Sequence, residues 1–415
     1  MADDLFTPLR LASGAVLPNR IAKAAMEENL AGPGQLPDGR LLALYRSWSA
    51  GGSGLLITGN VMVHAEALTG PGGVVLDSAA PLAPFAAWAE AAKSGGAAVW
   101  MQINHPGRQV PSGQPGVVWG PTDRGVDLGR HSGRFGRPTA MTPDQIAATV
   151  ERFATTARRA AEAGFDGVEI HAAHGYLLSQ FLSPLVNTRT DAWGGPLEHR
   201  ARLLLDVVRA VRAAVPPHFA VAVKLNSADF QRGGFDLDDA REVIAMLAPL
   251  GVDLVELSGG SYESPAMTGR PADERTSARE AYFLDLATEL VRTSPLPLML
   301  TGGITRRATA EQALADGVAV IGMGTALAVT PDLPHRWAAR TEADRALRPV
   351  TWSDKALASA ASMALVRHQL RRLAAGRTPT PNTRPAVALL TEQLQQRKAL
   401  RDYRGWLAAR RPAAR

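Results

Sequence analysis

The sequence predicts a (β/α)₈ barrel, also called a TIM barrel, because short apolar runs alternate with amphipathic helical segments along its 415 residues. Eight strand-like runs of this kind fit a closed barrel better than an open sheet. Capping residues support the helical segments, with Thr142 before Pro143 and Asp236 before Leu237. The predicted strands are residues 21–26, 54–59, 97–102, 166–171, 221–226, 253–258, 297–302 and 318–323, and the predicted helices include residues 146–163, 199–215, 237–250, 279–293 and 308–316.

Three segments lie outside this regular alternation. The run L-R-L-A-S-G-A-V-L from Leu9 predicts a short hairpin that plugs the bottom of the barrel. Residues 106–143 are rich in Gly and Pro, which predicts a long loop after the third strand, typical of a lid or a substrate wall. After Pro349, two helical stretches are separated by G-R-T-P-T-P-N-T-R-P. We therefore predict a barrel over residues 1–340 and a basic helical C-terminal extension over residues 341–415.

The basic charge of the chain is concentrated in this C-terminal extension. The net charge is +6, but residues 341–415 hold 15 Lys and Arg against 5 Asp and Glu, so the first 340 residues carry −4. In the extension the arginines lie among leucines at helical spacing, as in V-R-H-Q-L-R-R-L from Val366. This pattern favours solvated helix faces over a nucleic-acid surface, so no nucleic-acid partner is expected.

The composition excludes several classes of chemistry. The absence of cysteine excludes disulfides, thiolate nucleophiles, cysteine-ligated zinc and iron–sulfur clusters. No apolar run approaches the ~20 residues that cross a membrane. The N-terminal M-A-D-D-L-F-T-P-L-R has no basic segment followed by an apolar one, so it does not resemble a secretory signal. We expect a cytoplasmic protein without a membrane partner, and the sequence leaves a homo-oligomer open.

The fourth predicted strand is followed at once by candidate catalytic side chains. The run G-F-D-G-V-E-I-H from Gly164 is short and apolar, as a buried parallel strand usually is. His171, His174 and Tyr176 then fall at the C-terminal mouth of the barrel, where barrel enzymes place their active sites. The imidazoles can donate hydrogen bonds to one oxygen, and the phenol can deliver a proton beside it. A single histidine would favour a loop that merely caps the strand, but three such side chains favour an active site without a metal.

Glycines follow the seventh and eighth predicted strands, in T-G-G-I-T from Thr301 and G-M-G-T from Gly322. Glycine lets backbone N–H groups approach an anion closely, and the loops after these two strands are the common phosphate site of barrels. Each glycine pair alone has a purely steric explanation. Together they predict a phosphate site at Gly302, Gly303 and Gly324.

Polar side chains on other strands outline a flat ring at the barrel mouth. Lys224 lies within an apolar strand and must meet an anion or an electron-rich oxygen, because burying an unpaired ammonium is costly. Gln102 ends the third strand and offers a donor and an acceptor to a heteroaromatic edge. The small residues of A-A-M-E-E-N at the end of strand one could line a ring face, and Gly59 leaves room beside it.

These motifs resemble those of the Old Yellow Enzyme family of FMN-dependent ene-reductases over roughly residues 5–340. The most specific are N-R-I at Asn19, Q-I-N-H-P-G-R at Gln102, H-A-A-H-G-Y-L-L at His171, F-L-S-P-L-V-N-T-R-T-D-A-W-G-G at Phe181 and T-G-G at Thr301. The resemblance implies a (β/α)₈ barrel holding a single FMN. It places the isoalloxazine among Ala25, Met26, Glu27, Gly59, Gln102 and Lys224, and the phosphate at Gly302, Gly303, Gly324 and Thr325.

Four positions depart from the pattern of this family. Glu27 stands where members usually have Thr, Ser or Cys beside flavin O4 and N5, and Lys224 stands where most have Arg. Asn29 is near a position that is aromatic in many relatives, and Thr325 stands where a phosphate-binding Arg usually follows Gly. We expect these changes to alter the flavin potential and the substrate range, but not the identity of the flavin. Lys224 could pair with the Glu27 carboxylate, which favours the ionised form of Glu27.

The resemblance implies an enzyme that passes hydride from NADH or NADPH through FMN to an activated alkene such as an enone, enal, maleimide or nitroalkene. His171 and His174 would hold the carbonyl or nitro oxygen of that alkene, and Tyr176 would protonate its α-carbon. Two alternatives stay open. Lys224 could form a Schiff base, as in a class I aldolase. Alternatively, Glu27 and Thr325 could mark a flavin-binding protein with little turnover.

Overall fold

A closed barrel of eight parallel strands forms the centre of the protein, in a computed structural model that describes residues 4–264, 284–341 and 346–410. Each strand pairs with the next one along the chain, and the eighth pairs with the first through Ile321 and Ile21. Every strand overlaps one of the eight predicted runs, so the predicted fold class is confirmed. The strands are β1 (Ile21–Lys23), β2 (Leu55–Ile57), β3 (Ala98–Asn104), β4 (Gly167–Ala172), β5 (Ala220–Asn226), β6 (Leu254–Ser258), β7 (Leu298–Thr301) and β8 (Val320–Met323).

The N-terminal hairpin closes the bottom of the barrel, as predicted. Leu9–Arg10 pairs antiparallel with Val16–Leu17. Leu11 and Leu17 are buried in a cluster with Trp100 and other side chains from the N-terminal halves of the strands. The Ser13 amide donates a hydrogen bond to the Asp253 carboxylate at 2.7 Å, which ties the turn of the hairpin to the start of β6. The lower interior of the barrel is therefore filled by apolar side chains.

Amphipathic helices cover the outside of the barrel and bury their apolar faces against the strands. The predicted cap at Thr142 is a complete capping box, because Thr142 and Gln145 exchange side-chain and backbone hydrogen bonds. Residues 279–283 of the predicted helix 279–293 lie outside the described residues. The helices are α1 (Gly39–Ser49), α2 (Ala83–Lys93), α3 (Pro143–Glu162), α4 (Leu177–Leu182), α5 (Leu197–Ala214), α6 (Leu237–Leu247), α7 (Leu284–Val291), α8 (Arg307–Ala315), α9 (Thr325–Val329) and α10 (Leu333–Ala338).

The long connection after β3, residues 105–142, is called the lid below; it is irregular, as its Gly and Pro content predicts, but it is firmly anchored. Two short strands within it, Trp119–Gly120 and Thr139–Ala140, pair with each other. The Arg189 guanidinium donates hydrogen bonds at 2.9 Å to the carbonyl oxygens of Pro121 and Met141, which directly follow these two strands. The N-T-R-T-D motif therefore has a structural use here, because it fastens the lid to the segment that follows β4.

The C-terminal extension packs onto the barrel through two helices, α11 (Lys355–Ala374) and α12 (Pro385–Arg410). Leu370 of α11 belongs to the main buried core, and Tyr403 of α12 is buried against the segment that follows β2. The expectation that the arginines of this extension lie on solvated faces is wrong for Arg367, whose side chain is only 9% exposed. Within the described residues, we find no helix that is long and apolar enough to span a bilayer.

Candidate active site

The end of β4 gathers the three candidate catalytic side chains that the sequence predicts. The ring of His171 makes edge-to-face contacts with His174 and Tyr176, at centroid distances of 5.0 Å and 4.8 Å. His174 and Gly175 have φ angles of 60° and 72°, so the chain turns sharply after the strand and brings both histidines and the phenol to one place. All three side chains lie at the C-terminal mouth of the barrel.

Hydrogen bonds orient the two imidazole rings, and burial keeps both rings neutral. The Ala173 amide donates to Nδ1 of His171 at 3.2 Å, which leaves Nε2 of His171 to carry the ring hydrogen. Nε2 of His174 contacts the Ser258 hydroxyl at 2.7 Å. Burial, together with the neighbouring His174 and Lys224, lowers the pKa of His171 well below 6.5. Burial and Lys224 lower the pKa of His174 to about 3, so both rings are neutral near pH 7.

The phenol of Tyr176 has a partner that the sequence reasoning missed. Its hydroxyl lies 2.9 Å from the hydroxyl of Tyr262, which follows β6. Burial raises the pKa of Tyr176 well above 10, and the nearby Tyr262 and the charge of Glu27 raise it further. Tyr176 therefore keeps its proton at neutral pH. The signal for Tyr262 was its position in S-G-G-S-Y, a few residues after a buried strand, where the β4 residues also lie.

Gln102 and Lys224 lie in the barrel interior, where both contact carboxyl groups. The Gln102 amide donates to Glu169 at 2.6 Å, and the Lys224 ammonium forms an ion pair with Glu256. The prediction that buried Lys224 meets an anion is therefore confirmed, and the expected pairing with Glu27 is wrong. An ammonium has three donors, so Lys224 keeps capacity for a second acceptor.

The carboxyl groups of Glu169 and Glu256 share this interior, and their pKa values are shifted in opposite directions. Burial raises the pKa of Glu169 well above 4.5, and the negative charge of Glu256 raises it further. Burial also opposes ionisation of Glu256, but Lys224 and a hydrogen bond from Glu169 outweigh it and lower the pKa of Glu256 to about 2. These directions make Glu256 the stronger acid of the two, so Glu256 ionises first and Glu169 retains a proton to higher pH.

Gly59 makes room for a second buried polar cluster, formed by Lys23, Tyr45 and Glu28, which the sequence reasoning missed. Lys23 is fully buried, and its ammonium donates to the Ile57 carbonyl at 2.7 Å and to the Tyr45 hydroxyl at 3.1 Å. The Gly59 amide donates to both Tyr45 and Glu28. A Cβ at Gly59 would lie 1.8 Å from a Glu28 oxygen, so the glycine makes room for this carboxylate, not only for a ligand. The signal for Lys23 was the same as for Lys224, a lysine within an apolar strand.

Glu27 forms an ion pair with Arg367 of the C-terminal extension. The carbonyl oxygen of Glu27 also accepts a hydrogen bond from Nε of Arg367 at 3.2 Å. A pairing across 340 residues of chain replaces the expected one with Lys224, which is already held by Glu256. The charge of Glu27 is therefore compensated from outside the barrel.

The loops after β7 and β8 fit a phosphate group. Gly302 and Gly303 have φ angles of 145° and 70°, which L side chains rarely adopt, so glycine is required for this backbone path. The Met26 side chain lies 3.5 Å from the position of a Cβ on Gly324, which joins the end of strand one to this loop. Thr325 is exposed and begins α9. The glycines, the remaining donors of Lys224 and the neutral histidine pair together suit FMN.

Similarity to known proteins identifies the family of this chain. A family model described as the NADH:flavin oxidoreductase / NADH oxidase family matches residues 4–344. The chain belongs to this family. It is 38% identical over 349 residues to the NADH-dependent flavin oxidoreductase iliE of Hypocrea jecorina (strain QM6a), a match that covers 79% of this chain and 87% of that protein. It is 32% identical over 335 residues to an NADH oxidase of Thermoanaerobacter brockii, which covers 80% of this chain and 50% of that protein.

Solved structures agree with this family. An old yellow enzyme homologue from Zymomonas mobilis superposes with a TM-score of 0.69 at 26% identity, covering 82% of this chain and 93% of that one. Morphinone reductase superposes with a TM-score of 0.67 at 26% identity, covering 82% and 91%. The resemblance to the Old Yellow Enzyme family is therefore confirmed. The protein is an enzyme, a flavin oxidoreductase with FMN as cofactor and a nicotinamide nucleotide as reductant.

Proposed function

We propose that this flavin oxidoreductase reduces activated C=C bonds in small enones, enals, maleimides or nitroalkenes. The arrangement of His171, His174 and Tyr176 at the end of β4 carries this proposal. Two neutral imidazoles can hold one substrate oxygen, and a protonated phenol lies beside them. Family membership supports turnover over mere flavin storage. The ion pair of Lys224 with Glu256 argues against a Schiff base, because a protonated amine is not a nucleophile.

The FMN site would lie between the two groups of loops described above. Ala25, Met26 and the interior pair Gln102 and Lys224 would surround the flavin ring, and the β7 and β8 glycines would bind its phosphate. When bound, FMN supplies the hydride that it has received from NADH or NADPH. The carbonyl or nitro oxygen of the substrate accepts hydrogen bonds from the histidines, whose donors stabilise the negative charge that develops there.

The contacts of the two histidines support this role. Because Nδ1 of His171 accepts from a backbone amide, its Nε2–H is the donor available to a substrate. When the Ser258 hydroxyl donates to Nε2 of His174, Nδ1 of that ring carries the hydrogen. The Tyr176 hydroxyl would then deliver its proton to the α-carbon as a general acid. Its raised pKa keeps the proton in place until the α-carbon becomes basic.

Separation of the two half-reactions tests this function. The enzyme is reduced anaerobically with NADH or NADPH, mixed with members of each alkene class, and followed by flavin absorbance. Tyr176→Phe should leave flavin reduction intact and slow reoxidation by an enone ~10²–10⁴-fold, the usual loss when a general acid is removed. Tyr403→Phe is the matched control, because Tyr403 lies in the C-terminal extension and its hydroxyl donates to the Ala65 carbonyl in the segment that follows β2. Equal reoxidation rates in the parent and Tyr176→Phe would exclude the proposed role of this cluster.

A further inference from the structure

The C-terminal extension holds several segments of the barrel mouth at once. Asp354, the residue immediately before α11, forms an ion pair with Arg130 and contacts His131, and both of these residues lie in the lid. At the other end of the extension, the Arg404 side chain in α12 donates to the Gly113 carbonyl of the same lid at 2.7 Å. Between these two attachments, α11 passes the end of β1, where Arg367 meets Glu27. The extension thus bridges the lid and the first strand within one chain.

The Arg367 guanidinium donates hydrogen bonds to three acceptor groups in this arrangement. Its guanidinium bonds the backbone carbonyl and the side-chain carboxylate of Glu27, and Nη1 lies 3.1 Å from Oε1 of Glu392 in α12. Arg371, one turn further along α11, bonds the other oxygen of Glu392 at 2.6 Å. A planar guanidinium with several donors in a fixed fork suits this geometry, whereas an ammonium could not reach all three acceptors.

The charges in this group are buried, so their pairing matters. The side chains of Arg367, Glu27 and Glu392 are 9%, 15% and 5% exposed. Burial alone would lower the pKa of Arg367, but the carboxylates of Glu27 and Glu392 raise it above its usual value. Removal of one member would leave an uncompensated charge in a poorly hydrated place.

The influence of this ion pair extends to the proposed proton donor. The charge of Glu27 adds to the effect of burial in raising the pKa values of Tyr176 and Tyr262, and the charge of Arg367 acts in the opposite direction on both. Glu27 and Arg367 are therefore close enough to both phenols for their charges to be felt. Met26, the residue before Glu27, also contacts the loop after β8.

We infer that Arg367 is a positioning residue of the active site, which holds Glu27 in place and compensates its charge at the edge of the flavin site. This inference rests on the flavin site within the proposed function, but it does not depend on the identity of the alkene. Without Arg367, the negative charge of Glu27 would oppose the added negative charge of a reduced flavin. The C-terminal extension would thereby set the flavin potential as well as cover the barrel mouth.

The test is the flavin midpoint potential of the holoenzyme, measured by spectroelectrochemistry at fixed pH. Arg367→Met should lower the midpoint, and Glu27→Gln should raise it, because the two variants leave opposite charges uncompensated. The double variant should return toward the parent value. Arg372→Met is the matched control, since it removes the same charge from the same helix, and the Nε of Arg372 bonds the Thr378 carbonyl at 2.7 Å, not Glu27.

The outcomes separate this inference from the proposed function. An unchanged midpoint in Glu27→Gln overturns the inference, even when Arg367→Met fails to fold. A double variant whose midpoint stays as low as that of Arg367→Met, or a downward shift that Arg372→Met reproduces, overturns it as well. If the parent binds FMN and is reduced by a nicotinamide but no alkene reoxidises it, the proposed function fails, and the midpoint comparison still decides the role of Arg367.

Discussion

The hydroxyl oxygens of Tyr176 and Tyr262 lie 2.9 Å apart and join the end of β4 to the loop after β6. This contact holds the proposed proton donor in position, because a phenol with a hydrogen-bonded hydroxyl rotates less freely. It also supplies a second protonated oxygen beside the first, since burial and the charge of Glu27 raise the pKa of Tyr262 above its usual value.

Tyr262→Phe should therefore slow reoxidation by an enone, but less than Tyr176→Phe does. A neutral hydrogen bond contributes about 0.5–1.5 kcal/mol, which corresponds to a loss of roughly 2- to 10-fold. Rapid mixing of the reduced enzyme with an enone measures this rate, and flavin reduction by NAD(P)H should be unchanged. A loss as large as that of Tyr176→Phe would instead make Tyr262 the direct proton donor.

The histidine pair should bind the oxygen of phenolic ligands, which imitate the enolate oxygen of the substrate. Loss of both donors in the double variant His171→Ala, His174→Ala should weaken phenol binding by about 5- to 150-fold, taking each hydrogen bond as about 0.5–1.5 kcal/mol. Titration of the flavin absorbance with a substituted phenol gives the affinity. His218→Ala is the control, because this histidine is exposed between α5 and β5. Unchanged affinity in the double variant would mean that ligands bind elsewhere.

The barrel could be predicted from the sequence because parallel strands buried on both faces appear as short apolar runs. The positions of His171, His174 and Tyr176 followed from the same reasoning, since whatever follows β4 must lie at the mouth. Contacts between distant segments left no comparable signal. The helical spacing of arginines near Val366 shows that a helix forms, but not which face another element covers. For this reason, the ion pair of Arg367 with Glu27 was found only in the folded chain.

The choice of partner for Lys224 shows the same limit. Its burial in β5 required an anion, and the nearest candidate in the resemblance was Glu27. The barrel register instead aligns Lys224 with Glu256 on the neighbouring strand β6. Strand pairing in a closed barrel is decided by all eight strands together, so the sequence of one strand could not identify the carboxylate beside it.

Breaking the buried pair between Lys224 and Glu256 should be strongly destabilising. Lys224→Met leaves an ionised carboxylate without its partner, at a cost of about 3–5 kcal/mol in the free energy of unfolding. The double variant with Glu256→Gln should recover much of this loss, because no unpaired charge remains. Urea unfolding of FMN-free parent and variants gives the comparison. Additive losses in the double variant would show that the two side chains do not interact.

Acidification should destabilise the fold through its buried histidines. Burial keeps the pKa of His174 at about 3, and it holds the pKa values of His105 and His171 well below 6.5. In the unfolded chain these groups titrate near 6.5, so below that pH the unfolded state binds more protons than the folded state. The stability should therefore fall as the pH is lowered from 7 to 5.5, by up to about 1.4 kcal/mol per pH unit for each histidine.

Glu169 acts in the opposite direction over this range of pH. Its pKa is raised in the folded state, so the folded protein holds a proton that the unfolded chain loses above about 4.5, and this contribution to stability decreases as the pH rises. Among the described residues, Asp229 and Asp239 also have raised pKa values, and His64 and His368 also have lowered ones. The histidines still outnumber these carboxyl groups, so the net effect remains a loss of stability on acidification. Urea midpoints at pH 7 and 5.5 measure it. His171→Gln should reduce the pH dependence by about the contribution of one proton, whereas His218→Gln, at an exposed position, should leave it unchanged. The same slope in His171→Gln as in the parent would show that His171 titrates alike in the folded and unfolded states.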